Sequence, residues 1–267
     1  MSDDMVRVEV SGAGVATVTM NRPDVHNAFD DTLIARLTAV FRSVDEDAAV
    51  RVMVLAAEGR SFSAGADLNW MRRMAQYSEA ENLRDALHLA ELMRTLDRMR
   101  KPTIARVQGA AFGGGVGLVA CCDMAVAPSG VLFSLSEVRL GLIPAVISPY
   151  VIQAIGERAA RRYFLTAERF DAEQAHRLGL VTEVVAAEAL DSGVAGLVEH
   201  LLKGGPHAIA ASKDLIRAVS NRPVDTAVSE DTARRIAATR ASPEGREGVA
   251  AFLGKRPPAW AAPGTAV

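Results

Sequence analysis

Residues 110–117 read Ala-Ala-Phe-Gly-Gly-Gly-Val-Gly, with glycine at 113, 114, 115 and 117. Each glycine costs a helix about 1 kcal/mol relative to alanine, so such a run asks for a reason. Upstream, 101–107 predicts a short buried strand; downstream, 116–122 starts an apolar helix. A strand, a glycine turn and a helix expose bare backbone N–H groups at a helix N-terminus. Such donors suit a group that carries or develops negative charge. A second small-residue turn, Ser61-Phe-Ser-Ala-Gly-Ala-Asp-Leu, also leads into a helix. If the turns at 64–67 and 113–115 face one pocket, two N–H groups can clamp one oxygen. Each donor of such an oxyanion hole is worth roughly 10² to 10³ in rate. A thioester carbonyl that becomes an enolate is the natural occupant, with small residues admitting an acyl group close to the backbone. Proton transfer then needs an acid or base. Glu137, in the apolar stretch Phe-Ser-Leu-Ser-Glu-Val-Arg-Leu-Gly-Leu-Ile-Pro, is the candidate, because desolvation there raises its pKa.

Other chemistries fit less well. No Gly-Lys-Ser/Thr follows the glycines, so they are not a Walker loop. A dinucleotide fingerprint on Gly113 and Gly115 would need a small residue where Leu118 stands. Gly115, Gly117 and Ala120 fit a looser form, with Glu137 downstream, but Asp123 leaves little room for a crossover helix. The uncharged stretch 107–122 is too short and glycine-rich to cross a membrane. No Gly-x-Ser-x-Gly elbow is present, and neither Cys121 nor Cys122 has a histidine nearby in sequence. His26, His88, His176, His200 and His207 lack metal-ligand spacing, so no metal is expected.

The surrounding elements alternate. Residues 6–10 and 15–20 form a hairpin, and Asp30 or Asp31 caps a helix to about Val44, with Leu33, Ile34, Leu37, Val40 and Phe41 on one face. Residues 50–57 are a nearly continuous apolar strand, covered on both faces. Leu83, Ala86, Leu87, Ala90, Met93 and Leu96 trace one apolar stripe of a long helix. Short strands follow at 123–127 and 131–133, and two helical segments at 146–155 and 158–165. Asp171 starts a helix that ends at Gly179, before a brief strand at 181–185. Helices at 189–202, 206–220, 224–240 and 243–252 complete the chain. This is the pattern of an α/β protein with a mostly parallel sheet, in which ligands bind beyond the carboxyl ends of the strands. The alanine-rich C-terminal helices suit burial against another subunit.

The 267 residues allow one large core with an appendage. A net charge of −2 argues against a nucleic-acid or membrane-surface partner. Two adjacent cysteines suit a reducing compartment, and the acidic start Met-Ser-Asp-Asp has no leader pattern, so a cytoplasmic location is expected.

Four motifs occur in order: Asn21-Arg-Pro-Asp-Val-His-Asn-Ala, Phe62-Ser-Ala-Gly-Ala-Asp-Leu, Gln108-Gly-Ala-Ala-Phe-Gly-Gly-Gly and Glu137-Val-Arg-Leu-Gly-Leu-Ile-Pro. Together they resemble the enoyl-CoA hydratase/isomerase (crotonase) superfamily over essentially the whole chain. The resemblance implies a crotonase (ClpP-like) spiral of βββ-α units over 1–200, and a C-terminal helical trimerisation region over 201–267, in a homotrimer or dimer of trimers. It implies oxyanion-hole amides at Ala66 and Gly114, with Glu137 as acid/base. It also implies that Ala64 and Ala66 hold the adenine of coenzyme A, that the loop of Val25, His26 and Ala28 lines its pocket, and that Phe252 and Lys255 reach a coenzyme A site. Asp67, Leu68, Gly113 and Gly117 complete the binding set. Coenzyme A enters as part of the substrate, with no separate cofactor.

Two-carboxylate hydratases of the family carry a second glutamate where this chain has Gly117. Either Glu137 then does both proton transfers or another acid enters from elsewhere. A single carboxylate could serve hydration or the proton shuttle of a Δ3,Δ2-enoyl-CoA isomerase, and a homologue that only binds coenzyme A esters is the third alternative. The stretches from Ala66, Gly117 and Leu135 are further similar to bacterial methylglutaconyl-CoA and isohexenylglutaconyl-CoA hydratases of leucine and acyclic-terpene degradation. That implies a branched glutaconyl-type substrate, with Arg72, Arg73 and Arg139 as candidate partners of its second carboxylate and Gly117 giving room to the branch.

Overall fold

The computed structural model describes residues 5–261. The acidic start at 1–4 lies outside them. The described residues divide into two compact units: the first lies within 1–99 and 103–195, the second within 100–102 and 196–267.

In the first unit, β1 (Val6–Val10) and β2 (Val15–Met20) form the expected antiparallel hairpin. Then come α1 (Asp31–Glu46), β3 (Val52–Ala57), β4 (Ser61–Ser63), α2 (Leu68–Met74), α3 (Glu79–Asp97), β5 (Thr103–Arg106), β6 (Ala110–Phe112), α4 (Gly114–Cys121), β7 (Met124–Pro128) and β8 (Leu132–Ser134). A long helix α5 (Ser148–Thr166), β9 (Phe170–Asp171), α6 (Ala172–Leu178) and β10 (Glu183–Val185) follow. The first sheet runs β1-β2-β3-β5-β7-β10 and is parallel from β2 onward; the second runs β4-β6-β8-β9, with its first two pairings parallel. Successive pairs β3–β4, β5–β6 and β7–β8 thus each give one strand to either sheet before the chain turns helical, which winds it into a spiral. A single sheet, the plain inference from alternation, is replaced by two, because strands as short as β4, β6 and β8 carry almost no periodic signal.

The core follows the sequence closely. All six residues of β3 are buried, as a strand covered on both faces requires. The helical repeat of α1 buries Leu33, Ile34, Leu37, Val40, Phe41 and Val44, and Asp30 caps it by accepting from the Leu33 N–H. The stripe on α3 differs from expectation. Leu92, Met93 and Leu96 are buried, but Leu83 and Leu87 are 60% and 57% exposed. Burial is confined to the last turns, where α3 meets α1 and α4: Arg42 pairs with Glu91, and the Cys121 Sγ lies 3.8 Å from the Met93 Sδ. Periodicity reports an apolar face, not a partner for its whole length. The two segments expected at 146–165 are one helix in outline, divided at Gly156, whose φ of 75° breaks the helical path.

Helix α7 (Leu190–Lys203) begins in the first unit and ends in the second, which also holds α8 (Pro206–Val219), α9 (Thr226–Ala241) and α10 (Pro243–Leu253). Glu244 accepts from the His207 and Ala208 N–H groups at the start of α8, and Lys213 donates to the Lys101 carbonyl. Among the described residues, no helix is long and apolar enough to cross a membrane.

Candidate active site

Parallel pairing of β4 with β6 brings the two small-residue turns to the same end of one sheet. Residues 110–112 form a further strand, β6, and of the turn expected at 113–115 only Gly113, with φ 50° and ψ −118°, precedes the helix, which starts at Gly114. Gly65, at φ 86°, lies so close that a Cβ there would sit 3.1 Å from the Phe112 carbonyl oxygen and 3.8 Å from the Gly113 Cα. Phe29 locks this junction. Its N–H donates to the Gly65 carbonyl (2.6 Å) and its carbonyl accepts from the Asp67 N–H (2.8 Å), which pins the peptides on both sides of Ala66. Its ring covers Gly114, where a Cβ would come within 2.5 Å of the ring. The Gly113 N–H donates to the Ser134 carbonyl at 2.9 Å. The Gly114 N–H, first in α4, has no acceptor within its helix. Among the described residues, neither the Ala66 nor the Gly114 N–H donates to another backbone group outside regular structure.

Glu137 opens a 3-10 turn (Glu137–Leu140) that follows β8. Its Oε1 lies 3.1 Å from where a Gly113 Cβ would stand. Gly113 must therefore be glycine twice over, for its positive φ and for the carboxylate against it. The Glu137 Oε2 is buried and has no hydrogen-bond partner. Burial pushes the Glu137 pKa up from the ordinary carboxylate value, partly offset by a hydrogen bond with its own backbone. An unpartnered buried carboxylate oxygen beside two turns with free amides can take or give a proton where charge develops on a held oxygen.

The remaining sequence-derived candidates fall into three groups. Val25, His26, Ala28, Ala64 and Leu68 flank the first turn: the Ala64 N–H donates to the His26 carbonyl (2.9 Å), so the 25–28 loop runs beside it. His26, at φ 54°, contacts the Ser61 Oγ through Nδ1 and the Arg60 Nη2 through Nε2, each at 3.1 Å. Leu68, first in α2, is exposed. Asp67 differs from a ligand contact: it is buried, Oδ1 caps α2 and Oδ2 faces Arg22. Phe252 and Lys255 belong to the second unit, Phe252 exposed and Lys255 at φ 49° beyond the end of α10.

Gly117 corrects an expectation. It is buried, and a Cβ on it would lie 2.3 Å from the Ile147 Cγ2, 3.0 Å from the Ile147 Cβ and 3.1 Å from the Met93 Cε. The space that a glycine was expected to leave for a branched acyl group is filled by Ile147. Of the three arginines, Arg73 pairs with Asp31 and Arg72 donates to the Asn69 side chain. Arg139 is exposed two residues from Glu137 and makes no ion pair among the described residues. Sequence reasoning missed Phe29, Arg22 and Ile147. Only Arg22 left a signal, within the Asn-Arg-Pro motif.

Comparison with known proteins agrees with this architecture. Residues 11–263 match the enoyl-CoA hydratase/isomerase family. A crystal structure of an enoyl-CoA hydratase from Shewanella pealeana is 45% identical, covers 96% of each chain and superposes with a TM-score of 0.93. The 2,3-dehydroadipyl-CoA hydratase of Escherichia coli is 32% identical over 91% of this chain and 94% of its own. The 1,2-epoxyphenylacetyl-CoA isomerase of the same organism is 33% identical over 92% and 94%.

Proposed function

The chain belongs to the enoyl-CoA hydratase/isomerase family, with its crotonase fold, and on that premise we propose that it adds water to an α,β-unsaturated acyl-CoA. The observation that carries this reading is the Glu137 carboxylate lying against the Gly113 turn, with its Oε2 buried and without a hydrogen-bond partner. The Ala66 and Gly114 N–H groups hold the thioester oxygen. Glu137 takes a proton from water as the water oxygen bonds to the β-carbon. The electron pair of the double bond moves onto the thioester oxygen as an enolate. When the carbonyl re-forms, Glu137 returns its proton to the α-carbon, so one water is added and the carboxylate is regenerated. The 25–28 loop, Ala64 and Leu68 receive coenzyme A, and Phe252 and Lys255 reach the coenzyme A site of a neighbouring subunit in a trimeric assembly.

Within this class we favour an acyl group that carries a second carboxylate, of the branched glutaconyl type. Arg139, charged and close to Glu137 in sequence, supports that choice; the space beside Gly117 does not. Cys121 and Cys122, neither of them in a disulfide, suit a reducing compartment such as the cytoplasm.

A second reading has its own support. Ile147 closes the place beside Gly117 to a second acid, so in this reading Glu137 does both proton transfers. That also suits an isomerase, in which Glu137 removes a proton from C2 of a Δ3-enoyl-CoA and returns it to C4. Incubation with straight, branched and carboxylated enoyl-CoAs separates the readings. Hydration bleaches the conjugated thioester in the ultraviolet and adds the mass of one water; isomerisation moves the double bond at constant mass. Protein inert toward the whole panel overturns both.

A further inference from the structure

We infer that Arg22 is a positioning residue for the oxyanion hole, acting through Asp67 on the Ala66 amide; the inference rests on the reading of Ala66 as an oxyanion donor. The Arg22 guanidinium ties three segments together. Its Nη1 donates to the Ala28 carbonyl at 2.7 Å, and its Nη2 lies 3.0 Å from the Asp30 Oδ2 and 3.4 Å from the Asp67 Oδ2. The arginine side chain is 18% exposed, those of Asp30 and Asp67 19% and 8%. Each aspartate divides its oxygens in the same way. Oδ1 caps a helix, α1 through the Leu33 N–H for Asp30 and α2 through the Asn69 N–H for Asp67, while Oδ2 turns to Arg22.

Ala66 lies at the centre of this arrangement. Its flanking peptides are bonded to Phe29, and Phe29 is itself flanked by Ala28 and Asp30, both held by Arg22. On the other side Asp67, directly after Ala66, is held by the same guanidinium. Arg22 thereby clamps both strands of the Phe29–Ala66 bridge, and with them the direction in which the Ala66 N–H points. The loop before it is fixed as well: the Arg22 N–H donates to the Asn27 Oδ1 at 2.8 Å, and the Asn27 N–H returns a bond to the Arg22 carbonyl at 2.9 Å. Without the guanidinium, two poorly solvated carboxylates face each other and the Ala28 carbonyl loses a donor. The bridge would relax by separation of its strands. An oxyanion donor loses its worth with small misalignment, because preorganisation is what makes it effective.

The test uses Arg22→Met and Asp67→Asn in the full-length protein. Asp67→Asn keeps the α2 cap oxygen but replaces the partner of Arg22, so it decides the matter if Arg22→Met does not fold. Turnover is measured on the enoyl-CoA best used by the wild type. In parallel, the ¹³C resonance of butyryl-CoA labelled at its thioester carbonyl is recorded free and bound, since an oxyanion hole shifts it downfield. Each variant is expected to lower kcat by about 10- to 100-fold, a part of what one donor supplies. KM should change by less than about threefold, and the carbonyl shift should fall to less than about half of the wild-type value. A merely structural residue would leave that shift intact in the folded fraction. Folded variants with wild-type kcat and an undiminished shift overturn the role of Arg22. No shift in the wild type itself overturns instead the oxyanion-hole reading beneath it.

Discussion

Replacing Gly117 with alanine sets two known effects against each other. Position 117 lies within α4, where alanine favours the helix by about 1 kcal/mol over glycine. The added methyl would, however, stand 2.3 Å from the Ile147 Cγ2, well inside contact distance, in a region where Ile147 is 2% exposed. Overpacking of this kind costs about 1 to 3 kcal/mol. Gly117→Ala should therefore be neutral to about 2 kcal/mol destabilised, despite its better helix former. Ile147→Ala removes the offending Cγ2 and alone costs about 2 to 5 kcal/mol as a cavity mutation. In that background the remaining contacts, the residue 147 Cβ at 3.0 Å and the flexible Met93 Cε at 3.1 Å, need to yield only a little. The alanine should then be neutral to stabilising, so the cycle should show a favourable coupling of about 1 to 3 kcal/mol. Urea unfolding of all four proteins at one concentration and neutral pH measures it. Gly117→Ala more stable than wild type with Ile147 in place would refute the claim that this side chain fills the site of a second acid.

Glu137→Gln should raise stability at pH 8 while lowering turnover by about 10² to 10⁴. Burial raises the folded pKa of Glu137, so ionisation costs the folded state more than the unfolded one. That cost is complete above the folded pKa and absent below the unfolded one, near 4.3; the gap between melting midpoints of variant and wild type should close as pH falls toward 4. The same upward shift places the acidic limb of the hydration rate above the ordinary carboxylate value, because a protonated Glu137 cannot accept from water; a limb at or below that value would remove Glu137 as base. Gly113→Ala forces an L-residue to φ 50° and sets its Cβ 3.1 Å from the Glu137 Oε1, so turnover should fall about 10²-fold. Adding it to Glu137→Gln should cost little more, and full additivity would show that the two do not act together.

The legible parts of this protein are those in which a residue type answers to its own backbone. Asp30, one of the two residues expected to cap α1, and Asp171, expected to start α6, are both caps, because capping is satisfied within three residues. Gly113 was readable as a turn because a φ of 50° excludes most other residues. The alternation of β3 and α1 with their neighbours gave the class, since periodicity needs no partner to be seen. Illegible were the things set by what stands opposite. The exposed half of the α3 stripe looked the same as the buried half, and the strands of the second sheet are two or three residues long.

The glycines make the distinction sharpest. Read as sequence, 113, 114, 115 and 117 are one run with one purpose, close approach of a ligand. In the fold each meets something different: Gly113 the Glu137 carboxylate, Gly114 the Phe29 ring, Gly115 the Ser63 side chain and Gly117 the Ile147 side chain. Three of the four are small because the protein's own residues press on them. Only Gly113 faces the group that could do chemistry. Loss of the second acid at 117 is thus not an opened pocket but a closed one. With Ile147 in that space and Glu137 as the proposed acid/base, the choice between hydration and isomerisation depends on whether water or only the substrate's own carbon can reach its carboxylate.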